Sequence, residues 1–189
     1  MVDGPQVRYR INARDEIISV DEGWRRFADS NDAADFVDSD VIGRPLWDFI
    51  TDETTRELYA QMIARARLGT PAQFTFRCDS PSARRLLEMS IASVGAGAVE
   101  FATSTLQLDF RSPSALLARD TLRSAEFIRA CAWCSRIDIG IDEELWVDVE
   151  VATTQLGLME GGPMPRMSHG ICESCLKAIE HRLVTGAAV

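Results

Sequence analysis

Hydrophobic positions change period several times along the chain, and each change marks an element. Val7, Tyr9 and Ile11 alternate with polar residues. The turn-forming run Asn12-Ala13-Arg14-Asp15 follows, then Ile17, Ile18 and Val20, so residues 7–20 predict a β-hairpin. Asp21-Glu22-Gly23 opens a short helix with Trp24 and Phe27 on one face. Residues 31–40 are polar and read as loop or loose helical turns. Gly43-Arg44-Pro45 is a turn into Leu46-Trp47-Asp48-Phe49-Ile50, an apolar cluster too short to stand alone. Thr51 reads as a helix N-cap, with acids in the first turn and an apolar stripe of Leu58, Met62, Ile63 and Ala66, ended by Leu68-Gly69-Thr70-Pro71.

Three strands are predicted next, over 73–78, 85–94 and 99–110. In the third, Val99, Phe101 and Thr103 share one face, and Leu106, Leu108 and Phe110 share a face after a bulge. Residues 112–130 read as a connecting helix carrying Leu116, Leu117, Leu122, Phe127 and Ile128. Trp146, Val149, Thr153 and Leu156 recur at helical spacing, GGPMPRM reads as a loop, and Cys175, Leu176, Ile179 and Leu183 mark a final helix. Strand and helix runs segregated in this way predict an α+β fold, an antiparallel sheet covered on one side by helices, with a small helical C-terminal segment.

A chain of 189 residues suffices for one domain with a small appendage. No apolar run reaches the length of a membrane span, and the N-terminus lacks the apolar core of a signal peptide, so the expected setting is the cytoplasm. The net charge of -9 and the interleaving of arginines with acids argue against direct nucleic-acid binding.

Candidate chemistry lies in the cysteines. Four of the five form two CxxC pairs, Cys131-Ala132-Trp133-Cys134 and Cys172-Glu173-Ser174-Cys175. Each pair can turn two thiolates toward one ion, and two pairs complete a tetrahedral S4 shell. Thiolates select zinc, or iron in a rubredoxin-like or iron–sulfur site, over magnesium or calcium. His169 stands three residues before Cys172, as a fifth candidate ligand or as a donor to a thiolate. Two other readings stay open, a metal-free thiol–disulfide switch and buried cysteines with no shared role. Cys78, in FRCDSP, reads as a small buried hydrophobe, and His181 as a solvated cation near a helix end.

IISVDEGWRRFA, IGRPLWDFI, TRELYAQMIARARLG, FTFRCDSPSARRLLEMSI and GAVEFATSTL together resemble a PAS sensor domain over residues 7–110. CAWCSRI, WVDVE and MSHGICESCLKAI resemble the cysteine-rich tail attached to some bacterial PAS-type proteins. The resemblance implies a five-stranded antiparallel sheet, a helical side enclosing a pocket for a small ligand, and a flanking helix that carries signal or forms a dimer. It divides the chain into a sensor domain over 1–111, a signalling helix over 112–130 and a metal-binding module over 131–189. The flavin-adduct cysteine motif of light-sensing relatives is absent, and residues 1–130 hold no histidine for a haem. Trp24, Phe27, Phe36, Trp47, Phe49 and Tyr59 are expected on the helical wall of any pocket, with Phe74, Phe76 and Phe101 on the sheet.

No constellation of catalytic groups stands out. Asp52, Glu53 and Glu57 are explained by their place at a helix start. A thioredoxin-like CxxC belongs beside a βαβ unit, whereas CAWC follows a predicted helix. The expectation is a non-catalytic sensor that acts as a homo-oligomer or through a partner signalling protein. A redox protein and a DNA-associated regulator are the alternatives.

Overall fold

The computed structural model describes residues 7–29, 38–158 and 162–185. Strand β1 (Val7–Ile11) and strand β2 (Ile17–Val20) form the expected hairpin. Its turn is held by Asn12, whose Oδ1 accepts from the backbone N–H of Arg14 at 2.8 Å and of Glu16 at 3.0 Å. Helix α1 (Glu22–Asp29) starts where Asp21 accepts from the Trp24 N–H, and α2 (Asp38–Val41) is one short turn. Most of the polar segment 31–40, and with it Phe36, lies outside the described residues.

Helix α3 (Glu53–Arg67) is capped by Asp52 rather than Thr51: the Asp52 carboxylate accepts from the Thr55 N–H at 2.8 Å and from its hydroxyl at 2.7 Å. A carboxylate also complements the positive end of the helix. Gly69, at φ +90°, ends it in the left-handed region. Leu58, Met62, Ile63 and Ala66 bury the expected stripe, the three larger side chains contributing about 1.5–3 kcal/mol each.

Strands β3 (Ala72–Arg77), β4 (Ala83–Gly95) and β5 (Ala98–Phe110) complete an antiparallel sheet of five strands, in the order β2-β1-β5-β4-β3. Leu86 faces Gln107 while Leu87 faces Thr105, so Leu106 is the bulged residue, at the place the pattern predicts. Val99 and Phe101 are fully buried beneath the helical side.

The region predicted as a connecting helix is not one. Residues 115–117 form a single 3-10 turn, and β6 (Arg123–Cys131) is a strand. Ile128 and Ala130, two apart, are buried on one face, and pairing to strands far along the chain decides the conformation. β7 (Ile137–Asp138) and β8 (Trp146–Val147) follow, then α4 (Val149–Gln155), which starts after Trp146 instead of including it. GGPMPRM is not all loop, because β9 (Met164–Gly170) takes up its second half. Pro165 fits there: β9 is an edge strand, and Pro165 lies where its register against β6 breaks. The second sheet has the order β8-β7-β6-β9, with β6 and β9 parallel. Helix α5 (Glu173–Thr185) ends the described chain. No helix among the described residues is long and apolar enough to cross a membrane.

Two cores result. The smaller joins Leu116, Ile128, Ala130, Ile137, Val149, Ala152 and Met164 beneath the second sheet. The main core lies under the five-stranded sheet, yet it also takes in Cys131, Trp133, Cys172 and Ile179. The C-terminal part is therefore packed into the main core.

Ion pairs fasten the first sheet to α4. Asp79, 2% exposed at its side chain, pairs with Arg77 and lies 3.5 Å from Arg111. Arg111 and Arg84 reach Glu150 at 3.0 and 2.7 Å. Burial raises the Glu150 carboxyl, but hydrogen bonds from Arg84, its own backbone N–H and Arg111 outweigh that and bring it down to about 2. A carboxyl lowered on folding stabilises above its unfolded value, and the gain is lost as pH falls toward the folded value. Because the Glu150 side chain is 42% exposed, its contribution at neutral pH is held below about 1 kcal/mol. Glu150→Gln is expected to lower the melting temperature by a few degrees at pH 7 and by almost nothing at pH 2, as thermal melts across that range would read.

Candidate metal centre and adjoining cavity

The parallel pairing of β6 and β9 brings the two cysteine pairs together. Cys131 is the last residue of β6 and faces Gly170, the last of β9. Both strands run out at the same end of the second sheet, one into a tight turn carrying Cys134 and the other into α5. In the turn, the Ser135 N–H donates to the Cys131 carbonyl at 3.0 Å, and the Cys131 N–H donates to the Arg136 carbonyl at 2.8 Å. Ser135 closes it at φ +57°, in the left-handed region. The Ala132 N–H donates to the Gly170 carbonyl at 2.8 Å and stitches the turn to the other strand. Cys172 stands just before α5 and Cys175 lies in its first turn.

The four sulfurs of Cys131, Cys134, Cys172 and Cys175 lie within 4.8 Å of one another. Four sulfurs placed about 2.3 Å from one ion in a tetrahedron are about 3.8 Å apart. Cys134 Sγ and Cys172 Sγ are 3.8 Å apart, so the donor set and its spacing fit a metal ion. Cys131 and Cys172 are 2% and 1% exposed, and Cys134 and Cys175 are half-buried. The Cys172 N–H points at Cys131 Sγ from 3.4 Å, and the Ser174 hydroxyl lies 3.2 Å from Cys172 Sγ.

The thiols are electrostatically unequal. Hydrogen bonds from the Cys134 and Cys175 thiols, then from the backbone N–H groups of Cys172 and Cys134, pull Cys131 far below the ordinary thiol value against its burial. Its thiolate in turn holds Cys134 up at about 11 and raises Cys175. The cluster can chelate a metal ion, releasing thiol protons as it does.

His169 is not in the four-sulfur group. It is exposed on β9 and lines a cavity of about 360 Å³ beside the cluster. Cys78 also lies apart, and burial pushes its thiol up. His181 is exposed on α5.

The cavity sits between the helical side and the five-stranded sheet. Trp24, Phe49 and Tyr59 on the helical side and Phe74 and Phe76 on the sheet line it, as the sequence leads one to expect. Phe101 is instead fully buried, stacked on Tyr9 with ring centroids 4.5 Å apart. One wall was not foreseen: Ala132 and Trp133, the two residues between the first pair of cysteines. Trp133 packs 5.3 Å from Phe74 and 5.7 Å from Tyr59, and its carbonyl accepts from the Arg77 N–H at the end of β3 at 2.7 Å. The spacing CAWC exposes the two cysteines to sequence reading, but nothing local says which way its tryptophan faces.

No protein-family model matches the chain, and no curated protein is similar to it in sequence. Among solved structures, a domain of an HTR-like protein from Haloarcula marismortui ATCC 43049 matches at 12% identity and a TM-score of 0.40, covering 55% of this chain and 99% of that one. A likeness at that level carries no assignment.

Proposed function

We propose that this chain is a non-catalytic sensor of the bacterial signalling kind, a PAS-like domain coupled to a zinc ion held by Cys131, Cys134, Cys172 and Cys175. The observation that carries the reading is the meeting of four thiols within 4.8 Å, in residues that also belong to the main core. A metal there would fix the ends of β6 and β9 and the start of α5 against the sheet, so its gain or loss changes the surface offered to a second subunit or a signalling partner. The PAS reading draws on the five-stranded antiparallel sheet with helices on one side and a cavity between them. The four-thiolate set favours zinc or iron over harder cations, and zinc is preferred because a closed set of four cysteines is a common structural zinc site. The net charge of -9 speaks against DNA as the direct target.

A thiol–disulfide switch is the second reading, favoured by the 3.8 Å approach of the Cys134 and Cys172 sulfurs. It is compatible with the first, since oxidising two ligands would eject the ion.

The test compares metal-loaded and chelator-stripped reduced protein by circular dichroism and light scattering. Removal of the metal is expected to change both the fold of the C-terminal part and the oligomeric state. Identical spectra and mass in the two forms would overturn the coupling.

A further inference from the structure

We infer that a second cavity, between the end of α3, the edge strand β3 and the last turns of α5, binds a small carboxylate with an apolar body. The site goes beyond the proposed function and stands whether or not the cysteine cluster holds a metal.

Three observations carry it. First, the cavity, of about 310 Å³, is separate from the one beside the cluster and shares only Phe74 with it. One of its walls is α5, which stands outside the residues that resemble a PAS domain. Second, Arg65 and Arg182 line it and no acid among the described residues does, in a chain of net charge -9. Neither arginine has an acid three or four residues away on its helix, where intrahelical ion pairs form. Arg65 spends one N–H on the Leu183 carbonyl at the end of α5. Arg182 is half-buried and has no ion pair or hydrogen bond among the described residues. A guanidinium fork matches a carboxylate through parallel N–H donors, so the charge left over here calls for one. Third, the rest of the lining is uncharged. Phe74 and Ile179, each 3% exposed, close the floor, and Thr70, Gln73 and Ser90 add neutral polar groups. Such a floor suits an aromatic ring or a short alkyl chain, and a volume at the small end of ligand cavities limits the body to one of these. A carboxylate seated there bridges α3 and α5 and holds the last helix against the first sheet.

The experiment titrates the full chain, reduced and as purified, with benzoate, hexanoate, benzamide as the uncharged counterpart of benzoate, and inorganic phosphate. Arginine Nε–H and backbone signals are followed by ¹H–¹⁵N correlation spectra. At least one of the two acids is expected to shift the signals of Arg65, Arg182 and Ile179, and to bind about tenfold or more tightly than benzamide or phosphate. Arg182→Gln is expected to weaken that acid by about the same factor while moving the melting temperature by no more than about 2 °C, since Arg182 has no partner to lose. Gln73→Glu brings an acid into the cavity at an exposed position, and is expected to weaken binding about tenfold or more by repulsion. Folded protein in which neither acid shifts these signals would overturn the inference. So would benzamide or phosphate binding as tightly as the acids, or binding left unchanged in either variant.

Discussion

Replacing Cys175 with serine is expected to abolish metal retention and to lower the melting temperature by about 8–16 °C. Cys175 sits in the first turn of α5, and Ile179, one turn on, is 3% exposed in the main core. In structural zinc sites the free energy of binding is folding free energy, about 10–16 kcal/mol in isolated peptides. Here the main core has apolar contacts of its own, so a smaller share is at stake, about 4 kcal/mol when free zinc stands at about a thousand times its dissociation constant. At about 2–4 °C per kcal/mol for a chain of this size, that gives the stated drop. Cys78→Ser is the control, expected to leave metal content unchanged because Cys78 lies outside the four-sulfur group. Calorimetry and elemental analysis on the same preparations read both outcomes. A Cys175→Ser protein that keeps its metal and its melting temperature would remove the cluster from the account.

Trp133→Ala is the second large effect. A buried aromatic cut to alanine costs about 3–5 kcal/mol, the spread reflecting how far the site collapses. Trp133 contacts Tyr59 and Phe74 and accepts a backbone hydrogen bond from the end of β3, so collapse would have to move the edge of the sheet. The melting temperature should fall by about 6–20 °C. Because Cys131, Trp133, Cys172 and Ile179 share a core with Ile63, Phe74 and Phe101, denaturation should remain one transition, with both parts lost together. Two transitions, with only the later part of the chain affected, would mean that the cysteine-rich region is a separable module.

The first sheet was legible because its strands alternate and its turns use residues with few alternatives, as Asn12 shows at the hairpin. The second sheet was not. β6 carries its buried positions Ile128 and Ala130 beside the exposed Phe127, so neither period dominates, and its pairing partner β9 lies about forty residues away and contains Pro165. Such strands are made by tertiary pairing and leave little local trace. The cap of α3 was missed by one residue, since Thr51 and Asp52 are both able to cap and only geometry separates them. At the site, the cysteines declared themselves by spacing. The role of Trp133 as a cavity wall did not, because it depends on where the turn docks against β3. His169 shows the opposite: HxxC is a ligand-like spacing, but β9 carries that side chain to the cavity and not into the sulfur cluster.

The most direct measurement is anaerobic purification without a metal-binding tag, then elemental analysis and a visible spectrum on one sample. The account predicts one zinc per chain, no visible band, and loss of the zinc on mutation of Cys131 or Cys175. Iron with thiolate absorbance would replace the zinc sensor with a redox or gas sensor. Metal-free protein whose cluster thiols all titrate freely would contradict the metal centre itself.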